Sequence, residues 1–257
     1  MRSFKFGGCD LSLYGVTIQG NPTWSAMAPV EIKVARVVAM HGGYRYSQLY
    51  LPRTISLSCN IVADSRYSLL ENVRTISRIL DIRAGEQQLI LDTDPTRYIL
   101  AGVNTGINPQ LTISTGTFDI EMIATDPFWY DIGGESNTYT ISGTPQIIVE
   151  TTGGTMDVEP VITLKPSADI ANRTTIILSV YNSGTAFEWV TPRKLTSSHT
   201  VVIDSKNWVV TLNDVTSLAT KVAGAPFPLF TANDANVIML TGVTSGTLQI
   251  DYNNRWL

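Results

Sequence analysis

The sequence predicts a mainly β protein of two domains with a single α-helix, on three observations. Apolar and polar residues alternate with a period of two along most of the chain. One segment switches to helical spacing, and a pattern-poor stretch near the middle separates the halves. The chain has 257 residues, 44% hydrophobic and 16% charged, which is enough to bury a core in each half and too apolar for disorder. No run approaches the roughly 20 apolar residues a spanning helix needs, so no membrane insertion is expected.

The clearest strand is Arg53-Thr-Ile-Ser-Leu-Ser-Cys-Asn-Ile-Val62, where Ser56, Ser58 and Asn60 face away from an apolar row. Phe118, Ile120, Met122 and Ala124 repeat the pattern. Further strands are expected at 32–39, 87–92, 96–103, 158–164, 174–182, 199–204, 207–212, 235–240 and 246–252, with Asp204-Ser-Lys-Asn207 as a hairpin connection. From Ser65 to Ala84 the apolar residues Leu69, Leu70, Val73, Ile76, Ile79 and Leu80 fall on one helical face, with Glu71, Arg74 and Arg78 opposite. Asp64 or Ser65 can cap the start of this helix (65–84), and Gly85 can end it. Between Asp131 and Thr144 the chain is rich in Gly, Ser, Asn and Thr, which sets a domain boundary near residue 132.

Charge and cysteine content narrow the function. Net charge is -4, with 11 basic and 11 acidic residues in 1–130 and no basic block, so sequence-specific nucleic-acid binding is not expected. Lys5, Gly7, Gly8 and Asp10 interrupt any secretory h-region, and Cys9 and Cys59 are the only cysteines. Synthesis and folding in a reducing cytoplasm follow as an expectation. Cys59 is in phase with Ile55, Leu57 and Ile61 and reads as a buried core thiol.

Few residues suggest chemistry. His41 and His199 are the only histidines, neither in a nucleophile motif, and His199 opens a strand pattern. Asp92 and Asp94 stand two residues apart beside Pro95, either as a turn or as part of a Mg²⁺ or Ca²⁺ site. Neither an enzymatic activity nor a cofactor or metal is expected. Tyr181, Trp189 and Trp208 lie in the C-terminal strands and serve either as core or as a platform for carbohydrate. His41-Gly-Gly-Tyr-Arg-Tyr-Ser-Gln-Leu-Tyr-Leu-Pro52 reads as a loop between strands. Its Tyr44, Arg45, Tyr46 and Tyr50 are residue types that suit a protein interface. In Asp126-Pro-Phe-Trp-Tyr130, Pro127 cannot donate to a ladder, so the preceding strand should stop there. Phe128, Trp129 and Tyr130 would then cover a domain junction, with Phe128 or Trp129 buried.

In order, these segments resemble the distal tail proteins of siphophages. The resemblance rests on Phe4-Lys-Phe-Gly7, Tyr14-Gly-Val-Thr-Ile18, the glycines at 42–43, the strand Arg53–Ile61, the helix at 65–84, and Leu89-Ile-Leu-Asp92 followed by Tyr98. Its most specific part is Phe118-Asp-Ile-Glu-Met-Ile-Ala-Thr-Asp-Pro-Phe-Trp-Tyr130. Glu159-Pro-Val-Ile-Thr-Leu164 and Pro226-Phe-Pro-Leu-Phe230 followed by Asn236-Val-Ile238 extend it, although Ala235 stands where the family often has glycine.

The resemblance implies an N-terminal β-sandwich or barrel-like ring domain of belt type (1–132) and a C-terminal galectin-like β-sandwich (133–257). It also implies a virion structural protein, forming a homohexameric ring at the distal end of the tail. That ring would join the tube protein to the hub, tip or fibre proteins of the baseplate. DNA would pass through its lumen, and a near-neutral ring domain would not hold it back. The alternative is a carbohydrate-binding module that uses the C-terminal sandwich for adsorption to the host surface.

Overall fold

The computed structural model describes residues 2–24, 27–36, 41, 43–217 and 220–257, with the backbone alone of Trp24. The chain divides into two compact units, Met1–Ile132 with Leu257 and Gly133–Trp256.

The first unit contains β1 (Phe4–Phe6), β2 (Cys9–Asp10), β3 (Val16–Ile18), β4 (Thr23–Trp24), β5 (Val30–Ala35), β6 (Tyr44–Tyr50) and β7 (Arg53–Val62). After α1 (Arg66–Ile79) come β8 (Gln87–Leu91), β9 (Asp94–Val103), β10 (Gln110–Leu111), β11 (Thr115–Ala124) and β12 (Trp129–Asp131). A curled sheet runs β2-β1-β8-β9-β11-β7-β3, with β4 also on β7, β10 on β11 and β12 on β9. Its spine is the antiparallel pair β7–β11, in register from Thr115 opposite Val62 to Ala124 opposite Arg53. Period-two alternation puts Ile55, Leu57, Cys59 and Ile61 on the same buried face as Met122, Ile120 and Phe118. Phe4, Phe6, Leu89, Leu91, Ile99 and, from the helix, Leu69 and Ile76 complete that core. Gly15 (φ 74) closes the approach of β3 to β7: its carbonyl accepts from the Val62 N–H at 3.0 Å, and the Val62 carbonyl occupies the space a Cβ would need.

The helix is shorter than its periodicity predicts. Ser65 caps it, accepting from the Ser68 N–H at 3.1 Å, a bond worth about 1 kcal/mol. At the other end Asp81 turns extended, and its carboxylate accepts the Arg83 N–H at 3.0 Å. Ile82–Ala84 therefore form a separate 3-10 turn, which Gly85 ends. The expected strand at 32–39 starts earlier, at Val30, and positions 37–40 lie outside the described residues. The expected loop at 41–52 is corrected as well: its tyrosines form β6, which pairs with β5 in a two-stranded ribbon apart from the main sheet.

The second unit is a β-sandwich. Its strands are β13 (Glu135–Ile141), β14 (Gln146–Thr151), β15 (Val161–Pro166), β16 (Thr175–Val180), β17 (Thr185–Val190), β18 (Val201–Asp204), β19 (Val209–Leu212), β20 (Val215–Thr216), β21 (Ala235–Thr241), β22 (Gly246–Tyr252) and β23 (Arg255–Trp256). One sheet runs β13-β22-β15-β18-β19-β20 and the other β14-β21-β16-β17. Ile162, Leu164, Val201, Ile203, Val210, Leu248 and Ile250 meet Ile148, Ile176, Leu178, Val180, Phe187, Trp189, Ile238 and Leu240 in a single core.

At one open side, Glu150 points inward from the edge strand β14. It accepts from Asn137 Nδ2 at 3.0 Å and the Tyr252 hydroxyl at 3.5 Å, both on the other sheet. The stretch expected to be patternless, 131–144, contains β13. Its inward positions are Asn137, Tyr139 and Ile141, and the polar Asn137 hides the alternation.

Candidate functional site

The β5–β6 ribbon is a largely exposed element of the first unit. None of its described residues is buried. From Ser47 to Tyr50, alternation puts Gln48 and Tyr50 on one face with Val30 and Ile32, through the pairs Val30–Tyr50 and Ile32–Gln48, and Ser47 and Leu49 on the other, opposite Lys33 and Glu31. A register shift at Tyr46 then reverses the parity, so Arg45 pairs with Val34 on the first face and Tyr44 with Ala35 on the second. The Tyr50 ring meets Phe128 edge-on, centroids 5.6 Å apart, and so anchors the root of the ribbon to the first unit. Tyr44, Tyr46, Ile32 and Val34 keep more than half of their surface in water. An isolated two-stranded ribbon is marginal by itself, and apolar rings on an exposed ribbon add an unfavourable surface.

The stretch Asp126–Tyr130 is structural. β11 stops at Ala124, and the chain then re-enters the sheet as β12, with Tyr130 opposite Tyr98 and Asp131 opposite Arg97. Pro127, Phe128, Trp129 and Tyr130 are all buried. The Tyr130 ring stacks on Tyr98 at 5.7 Å, and its hydroxyl donates to Asp126 Oδ2 at 2.6 Å. The Asp126 carboxylate thus orients a tyrosine.

The acid pair is also divided. Asp92 and Thr93 form the tight turn between β8 and β9, Asp92 Oδ2 accepts the Ser3 N–H at 2.8 Å, and Asp94 accepts from the Thr96 hydroxyl at 2.7 Å. Among the described residues no group of three or more His, Cys, Asp or Glu could hold a metal ion. His199 Nδ1 accepts the Thr196 N–H at 3.0 Å and so braces a turn. Cys59 is buried, and burial, with Asp119 nearby, pushes its thiol up to about 12, whereas Cys9 is exposed.

The alternative of an aromatic platform formed by all three rings does not hold together. Trp189 is 1% exposed and donates from Nε1 to the Ser217 carbonyl at 3.1 Å. The alternation of β17 turns it inward with Phe187, so it belongs to the core and cannot stack on a ligand. Tyr181 (58% exposed) and Trp208 (68%) remain at the surface, on the β16–β17 and β18–β19 turns respectively. Sequence reasoning missed the cleft beside Trp208, because its other wall is the irregular segment 224–229, which has no periodicity to read.

Residues 10–124 match the family model of the phage tail protein RIFT-related domain. The match falls within the first unit. No match is found among curated proteins. Among solved structures, the chain is similar to the Dit protein of phage SPP1, described as a paradigm of hub adsorption apparatus in phages infecting Gram-positive hosts. The TM-score is 0.77 at 10% identity, over 100% of both chains. The phage p2 baseplate in its activated conformation also aligns, with strontium (TM-score 0.47, 9% identity) and with calcium (0.48, 8%), over 98% of each chain in both cases. At 10% identity the likeness to the SPP1 protein is one of fold, and it runs through both units. The resemblance to siphophage distal tail proteins, with its mainly β architecture, holds in both the family match and the fold.

Proposed function

We propose that this protein is a non-enzymatic structural component of the phage virion, a distal tail protein that forms a ring at the end of the tail. The RIFT-related domain makes the ring, six-membered by the family resemblance. The ring joins the tube protein on one side to hub, tip or fibre proteins of the baseplate on the other, and leaves a lumen for DNA. The observation that carries this reading is the β5–β6 ribbon: an ordered arm outside the main sheet that exposes Tyr44, Tyr46 and Tyr50 together with Ile32 and Val34. Tyrosine offers a large rigid contact area at low entropic cost, and an arm of this kind is stabilised when another copy covers it.

The test is the double substitution Tyr44→Ser with Tyr46→Ser in the full chain. Light scattering and negative-stain microscopy should show rings for the parent and monomers for the variant. At a dilution where both are monomeric, unfolding free energy should agree within about 0.5 kcal/mol, because both rings are exposed in the single chain. A parent protein that stays monomeric at high concentration and fails to assemble on tail tubes would overturn the reading.

A second reading is supported by the exposure of Trp208 and Tyr181: the sandwich of the second unit binds carbohydrate at the host surface. It stands without Trp189. The two readings are compatible, since a ring can carry binding modules.

A further inference from the structure

We propose that the second unit binds an uncharged pyranose saccharide in the cleft beside Trp208. The indole would serve as the stacking face, and Ser205, Lys221 and Glu159 would supply the polar contacts. This rests on the carbohydrate reading above and gives it a location.

The cleft has a volume of about 430 Å³ and lies between the β18–β19 turn and the segment 224–229. Trp208 and Phe227 line it with Pro226 and with those three polar residues. Its size falls within the range of small-ligand sites.

Trp208 carries two costs at the same position. Its backbone is left-handed (φ 55), a conformation that a glycine or asparagine would adopt with less strain, and its ring is 68% exposed. The hairpin does not need an indole there. Asp204 already holds the turn, accepting from the Asn207 N–H at 2.9 Å and from Asn207 Nδ2 at 2.7 Å. A ring offered to a ligand accounts for both costs.

The polar residues point the same way. Ser205 is 1% exposed, and its hydroxyl has no hydrogen-bond partner among the described residues, a rare condition for a buried group. The Lys221 ammonium lies 5.3 Å from the Phe227 ring centroid and donates to the Ala225 and Val222 carbonyls. An ammonium has three donors, so one remains. Glu159 Oε2 accepts from Arg255 Nη1 at 3.1 Å, and the carboxylate keeps further lone pairs. The cleft thus combines aromatic faces with an unmatched hydroxyl, a spare donor and a spare acceptor. A pyranose presents the complement, a C–H face for the indole and hydroxyls that both donate and accept. A purely apolar peptide side chain would cover the rings and leave the Ser205 hydroxyl unpaired.

The test uses the full chain on an array of defined glycans, with hits measured by calorimetry or saturation-transfer NMR. Trp208→Asn suits the left-handed backbone and should weaken binding at least tenfold, with unfolding and assembly unchanged. Ser205→Ala should weaken it severalfold, and Tyr181→Ala should leave it intact. Parent binding that survives both Trp208→Asn and Ser205→Ala would overturn the cleft and leave the carbohydrate reading standing. A parent that binds no glycan, or binds proline-rich peptides in this cleft instead, would overturn both.

Discussion

Arg53 shows how a single residue can follow the strand pattern and still defeat its usual meaning. In sequence it has the parity of Ile55, Leu57 and Cys59, and the fold keeps that parity. Its side chain enters the core face opposite Ala124, whose small methyl leaves room for a long stem. It is 0% exposed, and its three guanidinium nitrogens have no hydrogen-bond partner among the described residues. Burial pulls its pKa below the ordinary arginine value. A buried charge without a partner costs several kcal/mol, whereas an apolar side chain of similar length costs nothing there. Arg53→Met is therefore expected to stabilise the protein by about 1–4 kcal/mol, read as a higher urea midpoint at unchanged slope. A lower midpoint would show that the guanidinium has found an acceptor. The two tryptophans teach the complementary lesson. Trp189 and Trp208 look alike in sequence, yet one fills the core and the other faces water, because one sits inside a paired strand and the other at a turn.

Among the elements, β5–β6 differs most from its neighbours in what holds it. β7 and β11 share ten registered pairs and a buried face, while the ribbon is held, among the described residues, by its own ladder and by the Tyr50–Phe128 contact at its root. In the monomer its amides should exchange with solvent far faster than those of β7 and β11, with protection on the order of a thousandfold lower. In the assembled ring they should gain protection. Equal protection in both states would mean that the ribbon is not an assembly contact. The same contrast explains what was legible in the sequence. β7 and β11 bury one face and leave most of the other exposed, and β21 and β22 alternate buried with half-buried or exposed positions, so their patterns are plain. β6 buries neither face, so Tyr-Arg-Tyr-Ser-Gln-Leu-Tyr reads as a loop although it pairs as a strand. β13 and β14 border an open side where Asn137 and Glu150 point inward, and those polar residues break the pattern. The cleft beside Trp208 was invisible because irregular backbone builds half of it.

Across the whole molecule, both units store neutral acids whose ionisation folding opposes. Burial, with Asp119 nearby, raises Cys59 to about 12 in the first unit. In the second, burial and the neighbouring Glu150 raise Tyr139 to about 12, and the same causes raise Tyr252. All three folded values lie above those of the unfolded chain, so the unfolded state loses these protons first. Their contribution is fully present below about pH 8.5 and is lost as pH rises through about 9 to 12. Urea midpoints should accordingly be flat from pH 7 to 8 and fall steeply by pH 10.5. Ultraviolet absorbance of tyrosinate should rise together with unfolding. A midpoint that holds to pH 11 would contradict this account.

The contrast between the two cysteines also offers a practical handle. Cys59 is sealed in the core and kept protonated, while Cys9 lies exposed on β2. Maleimide reagents attack thiolate at an accessible site, so near neutral pH the native chain presents one addressable position. A dye placed there without any mutation would label every copy once. Stepwise photobleaching of single assemblies would then count the subunits directly, independently of any image of the ring.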